Sequence, residues 1–313
     1  MGEALAHLES TEMAHLSEEL IHSTVRIDAF DHAGVPYSGT GFFFNFNYGE
    51  CSIPVIVTNR HVLYGMTRVL LKFTLADSNG NPNYGLHEDI NITEVHARIQ
   101  YHQDDTVDLA VIYIGDVLNY YESIGKPLYL RASNESQLPT AEDIDSLTMF
   151  EEVLMIGYPN RIWDSANNLP IARRGFTATP YIRDYEGRTE FMIDAACFPG
   201  SSGSPIYLYN QGPFTTKYGG VNIGGRFALL GILHAGPQHT AEGELIIETV
   251  PSAVRAVPIS RIPNHLGLCI KASRILDFRE TLIARFELMK IKALQPSGQD
   301  SPNQKASPQL GQE

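Results

Sequence analysis

Basic side chains are in short supply in this sequence: 23 Lys and Arg stand against 36 Asp and Glu, for a formal net charge of −13. A field of that sign repels phosphate backbones and anionic lipid at long range, and no dense Lys/Arg run offsets it, so neither nucleic acid nor a membrane surface is an expected partner. Cysteine is rarer still. Cys51, Cys197 and Cys269 lie far apart and form no CxxC pair, which argues against a disulfide framework. Long apolar runs are missing as well, and nothing reaches the roughly 20 apolar residues of a spanning helix. Residues 1–22 carry Glu3, Glu9, Glu12, Glu18 and Glu19 and no basic n-region, so they do not read as a signal peptide. These absences lead to the expectation of a soluble, cytoplasmic protein.

What is present points to strands and turns. The chain holds 26 glycines, 18 prolines, 15 tyrosines and 14 phenylalanines, a composition suited to short aromatic strands joined by tight turns. Strand patterns begin at Val25 and recur in Gly39 to Phe46, Val55 to Thr58, Val69 to Phe73, Ile92 to Ile99 and Leu109 to Ile114; a polar loop is expected from Asp77 to Asp89. Further strands are expected at Leu147 to Ile156, Thr189 to Ile193, Pro205 to Tyr209, Phe227 to His234 and Leu268 to Ile270. Helical periodicity is strongest at the two ends, in residues 1–22 and in Ser273 to Met289, where Ser273 could cap. No βαβ repetition occurs, so the fold class is all-β with helical ends. Beyond Leu294 the chain is polar and rich in Pro, Ser and Gln, unable to offset the entropy of ordering by burial.

Three local patterns carry chemistry. In Phe198-Pro199-Gly200-Ser201-Ser202-Gly203-Ser204-Pro205, glycines flank Ser202 and permit the close approach and unusual dihedrals that an exposed nucleophile and its oxyanion donors require. The segment is not a GxSxG elbow, since only Gly203 follows Ser202 and no strand-turn-helix context surrounds it. Upstream, Val57-Thr58-Asn59-Arg60-His61-Val62 follows an apolar strand, and a histidine there can act as a general base near neutral pH. Asp108-Leu109-Ala110-Val111-Ile112 sets a carboxylate at the start of a strand, where it could hold an imidazole tautomer; Asp104 and Asp105 compete but do not directly precede the strand. Each pattern alone also fits a strand-end turn. Together they stand in the order His61, Asp108, Ser202.

These motifs closely resemble those of the trypsin-like serine peptidases, in particular the bacterial high-temperature-requirement proteases and glutamyl endopeptidases. Gly200 to Pro205 matches their GxSG(G/S)P nucleophile segment, Thr58 to Val62 their TNxHV-like histidine segment and Asp108 to Val111 their D(L/I)A(V/L) strand start. Gly39 to Phe43 resembles their GTGFF-like strand and Gly157-Tyr158-Pro159 their GYP turn. The resemblance implies a serine endopeptidase with two six-stranded antiparallel β-barrels, a His61, Asp108, Ser202 triad, and an oxyanion hole from the backbone N–H groups of Gly200 and Ser202. It implies no cofactor and no metal, and a protein or peptide substrate. The organisation expected is an N-terminal helical extension (1–23), a first barrel (24–125), a connection (126–144), a second barrel (145–272), a C-terminal helix (273–294) and a disordered tail (295–313). The terminal helices are also compatible with a regulatory protein partner, and a latent or noncatalytic peptide-binding module on the same fold is the competing class.

By the same resemblance Ala196, Cys197, Leu233, His234, Ala235 and Gly236 surround the primary substrate pocket. Ala196 stands where trypsin-type specificity needs an aspartate, which favours a small or apolar side chain there; His234 could instead reach an acidic one. Ser201 occupies the position of the aspartate that pairs with a freed N-terminus in zymogen-activated members, so that activation switch is not expected. Cys197 reads as a pocket wall rather than a second nucleophile. His234, His239 and His265 lack a completing ligand at any metal-site spacing.

Overall fold

The computed structural model describes residues 16–92, 95–236, 238–241, 260–263 and 265–294. Most of the expected N-terminal helix and the whole of the expected tail therefore lie outside the described residues. Among those described, no helix is long and apolar enough to cross a membrane.

The first half is built from strands β1 (Thr24–Asp31), β2 (Pro36–Tyr48), β3 (Cys51–Thr58), β4 (Met66–Ala76), β5 (Pro82–Ile92), β6 (Ile99–Tyr101) and β7 (Ala110–Tyr113). They follow one path in the order β5-β4-β1-β2-β3-β7-β6. Two short strands join from the side: β8 (Leu128–Tyr129) pairs with β4, and β9 (Ser133–Asn134) runs parallel to β2. Among the described residues the path ends at β5 and β6 without a ladder between them, so this half is a large sheet whose closure into the expected six-stranded barrel is not seen. The polar stretch expected to be a loop is β5. It pairs with β4 from Val69↔Ile92 to Ala76↔Pro82, and as a sheet-edge strand in which only Ile90 and Ile92 are buried it has no apolar alternation along most of its length. The expected strand from Ile92 to Ile99 is divided between the end of β5, a one-turn helix Val95–Arg98 and the start of β6.

The second half is a closed barrel of six strands in the order β10 (Glu152–Gly157), β11 (Ile171–Thr177), β12 (Glu190–Asp194), β17 (Leu266–Lys271), β14 (Arg226–Ala235) and β13 (Pro205–Asn210). A separate hairpin pairs β15 (Gln238–Ala241) with β16 (Ser260–Pro263). After β17 the chain turns through a 3₁₀ segment, Ala272–Phe278, into the helix Arg279–Leu294; the 3₁₀ segment starts after Lys271 with no side-chain cap, and Ser273 lies inside it.

Alternation along the strands sorts the apolar residues into three cores. Phe43 of β2 turns to the interior of the first sheet with Ile27, Leu71 and Phe73, while Phe42, Phe44 and Phe46 turn the other way. There they meet Leu154 and Ile156 of β10, Tyr207 of β13 and Phe278 of the closing segment in one cluster common to both halves. Val153, Met155, Ile206 and Leu208, the alternate residues of β10 and β13, fill the barrel. The halves thus share an apolar cluster, which sets β2 and β3 against β10 and β13.

Candidate active site

Asn59 leaves β3 in extended conformation and starts the one-turn helix Arg60–Leu63. Its side chain does not cap that helix; Nδ2 donates to the Asp108 carbonyl at 2.9 Å, and Arg60 N donates to the same oxygen at 3.3 Å. The loop before β7 is thereby tied to the helix. Asp108 in turn grips His61 with both carboxylate oxygens: His61 N donates to Oδ1 at 2.9 Å, and Nδ1 lies 2.6 Å from Oδ2. The His61 side chain is half exposed and that of Asp108 one quarter. Such a grip fixes ring orientation and, with Nδ1–H directed at the carboxylate, leaves Nε2 as the free basic nitrogen.

Ser202 reaches the same region through a buried polar network that crosses between the halves. Thr40 N, on β2, donates to the Ser202 carbonyl at 2.8 Å. Thr40 Oγ1 donates to the Gly200 carbonyl at 2.9 Å and accepts from Tyr158 N at 3.1 Å. Thr58 Oγ1, three residues before His61, donates to the Thr40 carbonyl at 2.7 Å. On the barrel side Gly203 N donates to the Leu233 carbonyl at 2.8 Å, and Leu233 N to that of Ser204 at 3.0 Å. Gly200 and Gly203 both have φ of +89°, and a Cβ on Gly203 would run into the Thr40 carbonyl and come within 2.6 Å of Thr58 Oγ1. Only glycine fits there.

Donors in this loop divide into used and unused. Ser201 N donates to the Phe198 carbonyl and Ser204 N to that of Ser201, both at 3.0 Å. Among the described residues, Gly200 N and Ser202 N make no hydrogen bond, and neither does the partly exposed Ser202 Oγ, to His61 or to any other group. The Ser201 hydroxyl is buried without a partner.

The residues expected around the substrate pocket fall into two groups. Cys197 is buried, its Sγ beside the Leu233 side chain at Gly267, where a Cβ would meet them at 2.6 and 2.7 Å. Burial pushes its thiol up to about 11, which removes it as a competing nucleophile. The Ala196 carbonyl accepts from Arg173 Nη1 at 2.5 Å. Ala235 and Gly236 are exposed at the end of β14. His234 behaves differently: the ladder between β14 and β17 shifts register between Leu233 and Ala235, a bulge that re-aims the intervening side chain. Its Nδ1 lies 3.8 Å from Asp108 Oδ2 and its Nε2 3.3 Å from Glu190 Oε1. The ring therefore lies between the two carboxylates, and burial pushes its pKa down to about 4 against the opposing pull of Asp108. Glu190, Thr40, Thr58 and Asn59 escape sequence inspection as site residues. The available signal was a polar residue inside otherwise apolar strand text, as in Gly39-Thr40-Gly41-Phe42 and Val57-Thr58-Asn59.

The trypsin-like peptidase domain model matches residues 39–213, a span that contains His61, Asp108 and the whole Ser202 loop. The chain belongs to the trypsin-like peptidase family. No curated protein sequence matches it. Among solved structures it is similar to the HtrA-type protease AlgW with tripeptide, at 15% identity and TM-score 0.46 over 88% of this chain and 64% of that one. It is also similar to the Rv3671c protease from M. tuberculosis in its active form (16%, TM-score 0.41, 90% and 86% covered). A third likeness is to HL collagenase (13%, TM-score 0.43, 90% and 97% covered). The chain spans less than two thirds of the length of the AlgW structure, and the tripeptide belongs to that protein alone.

Proposed function

We propose that this trypsin-like peptidase is a serine endopeptidase, with His61 as general base, Asp108 as its orienting carboxylate, Ser202 as nucleophile, and the Gly200 and Ser202 N–H groups as oxyanion donors. The observation that carries the proposal is the two-point grip of Asp108 on His61, 2.9 Å to the backbone and 2.6 Å to Nδ1. It is the arrangement a general base needs to offer Nε2 to a hydroxyl. The two unused N–H groups, on a loop with φ of +89° at Gly200, supply donors for a developing oxyanion, each worth roughly 3 kcal/mol in the transition state.

In this mechanism His61 Nε2 takes the Ser202 proton as Oγ attacks the peptide carbonyl. The negative oxygen of the tetrahedral intermediate lies against Gly200 N and Ser202 N. Its collapse breaks the C–N bond, and His61 returns the proton to the leaving amine. Water, deprotonated by His61, then attacks the acyl ester and releases the acid with Ser202 restored. The substrate class is protein or peptide, its backbone added as a strand beside β14 at Ala235 and Gly236. In the proposed organisation the first unit (24–125) brings His61 and Asp108 and the second (145–272) brings Ser202. Peptide hydrolysis by the wild type and by Ser202→Ala tests this: turnover should fall about 10⁶-fold in the variant, whereas equal rates in the two would refute the assignment.

One observation favours a second reading, a latent peptidase that a regulatory protein partner completes: Ser202 Oγ makes no hydrogen bond to His61 among the described residues. Apo hydrogen bonds of this kind often tighten only with substrate. A latent enzyme would hydrolyse peptides only after the partner is added.

A further inference from the structure

We propose that His234 is a positioning residue for Asp108, a second imidazole on the carboxylate that holds His61, itself held from behind by the buried acid Glu190. The inference rests on the peptidase reading for the importance of Asp108, and on geometry for the rest. Oδ2 of Asp108 is approached by two ring nitrogens, Nδ1 of His61 at 2.6 Å and Nδ1 of His234 at 3.8 Å. The far nitrogen of His234 lies 3.3 Å from Glu190 Oε1. The side chains of His234 and Glu190 are 13% and 8% exposed, against 25% for Asp108.

Four charged or titratable groups face His234: Asp108 from the loop before β7, His61 from the one-turn helix, Glu190 from β12 and Arg188 from the turn before it. Arg188 lies 3.3 Å from Glu190 but is half exposed and also pairs with Glu186. Two ionised carboxylates on either side of a neutral ring, with one solvated cation near, would be costly in a dry site. Burial raises the Glu190 acid and lowers the His234 base, and both changes lead to the same protonation pattern. A protonated Glu190 set 3.3 Å from Nε2 of a neutral His234 leaves the ring proton on Nδ1, the nitrogen nearer Asp108. The buried Nε2 makes no hydrogen bond in this geometry, and a small closure of the Glu190 contact would give it one.

At 3.8 Å the Nδ1–H acts on Oδ2 as an oriented dipole, and a movement of under about 1 Å would make it a hydrogen bond. In either form it withdraws negative charge from the oxygen that holds His61. Removing it leaves the charge on Oδ2 undivided and strengthens its hydrogen bond to His61 Nδ1. A cavity of about 200 Å³ lined in part by Asp104, Arg188, Glu190 and Arg274 lies against the acid.

Nuclear magnetic resonance of the full chain with ¹⁵N- and ¹³C-labelled histidine tests this without requiring turnover, so a failed peptidase reading and a failed inference are told apart. In the wild type His234 should be neutral with its proton on Nδ1 from pH 8 to pH 5. In His234→Phe the low-field Nδ1–H resonance of His61, which reports its bond to Asp108, should move further downfield, and in His234→Asn, whose amide keeps a donor near Oδ2, by less than half as much. A charged His234 at pH 7 or a proton on Nε2 in the wild type would overturn the inference, as would an unchanged His61 Nδ1–H resonance in folded His234→Phe.

Discussion

Asp108 uses one oxygen to accept the His61 backbone N–H and the other to accept its ring. Replacing it with asparagine preserves size but presents an amide to one of those positions, so the ring loses the partner that fixes its tautomer. Asp108→Asn should lower kcat about 10⁴-fold with KM little changed. Steady-state kinetics on protein with wild-type circular dichroism checks it, and a loss carried by KM would point to substrate binding instead. The sequence marks three candidates by their immediate neighbours: Ser202 between glycines, His61 after an apolar strand and Asp108 before one, of which the structure joins His61 and Asp108 directly. Glu190 and His234 were not read as a pair with Asp108. Their meeting depends on a bulge in β14 and on the β12–β17 ladder that sets Glu190 opposite Ile270, neither of which leaves a local pattern.

Among the elements, β2 does the most to align the halves. Its Thr40 joins the Gly200 carbonyl, the Tyr158 N–H, the Ser202 carbonyl and, through its own carbonyl, Thr58. Thr40→Val keeps the shape and strips Oγ1, leaving two buried backbone groups without partners at a cost of about 1–3 kcal/mol. It should also release the Ser202 loop, so kcat should fall more than stability alone explains, while Thr40→Ser retains both properties. Urea denaturation paired with peptide hydrolysis separates the two effects; equal kcat in all three proteins would remove Thr40 from the account. The converse case is β5, a strand by its ladder to β4 and a loop by its composition. Only Ile90 and Ile92, at its end, are buried, so no apolar periodicity marks most of its length.

At the scale of the molecule, the cluster that includes Phe44, Phe46, Leu154, Tyr207 and Phe278 belongs to both halves. Among the described residues the second barrel closes and the first sheet does not, a difference in ladder closure that strand counts and motifs could not reveal. Two histidines buried in the neutral form, His22 and His234, are each pushed down to about 4 chiefly by burial. The unfolded chain takes up their protons near pH 6.5 and the folded chain refuses them. Their contribution to stability is therefore complete above pH 6.5 and is lost as pH falls toward about 4. Urea midpoints should drop between pH 7 and pH 5, with His22→Phe or His234→Phe flattening that drop if the variant folds; a midpoint unchanged across this range in the wild type would contradict the assignment.

The most direct test of the account is covalent labelling of the native chain by a fluorophosphonate probe, mapped by peptide mass spectrometry in the wild type, Ser202→Ala and His61→Ala. The account predicts a single adduct on Ser202, absent from Ser202→Ala and formed far more slowly in His61→Ala. An adduct on another residue, or none on Ser202 in folded wild-type protein that cleaves peptides, would contradict it.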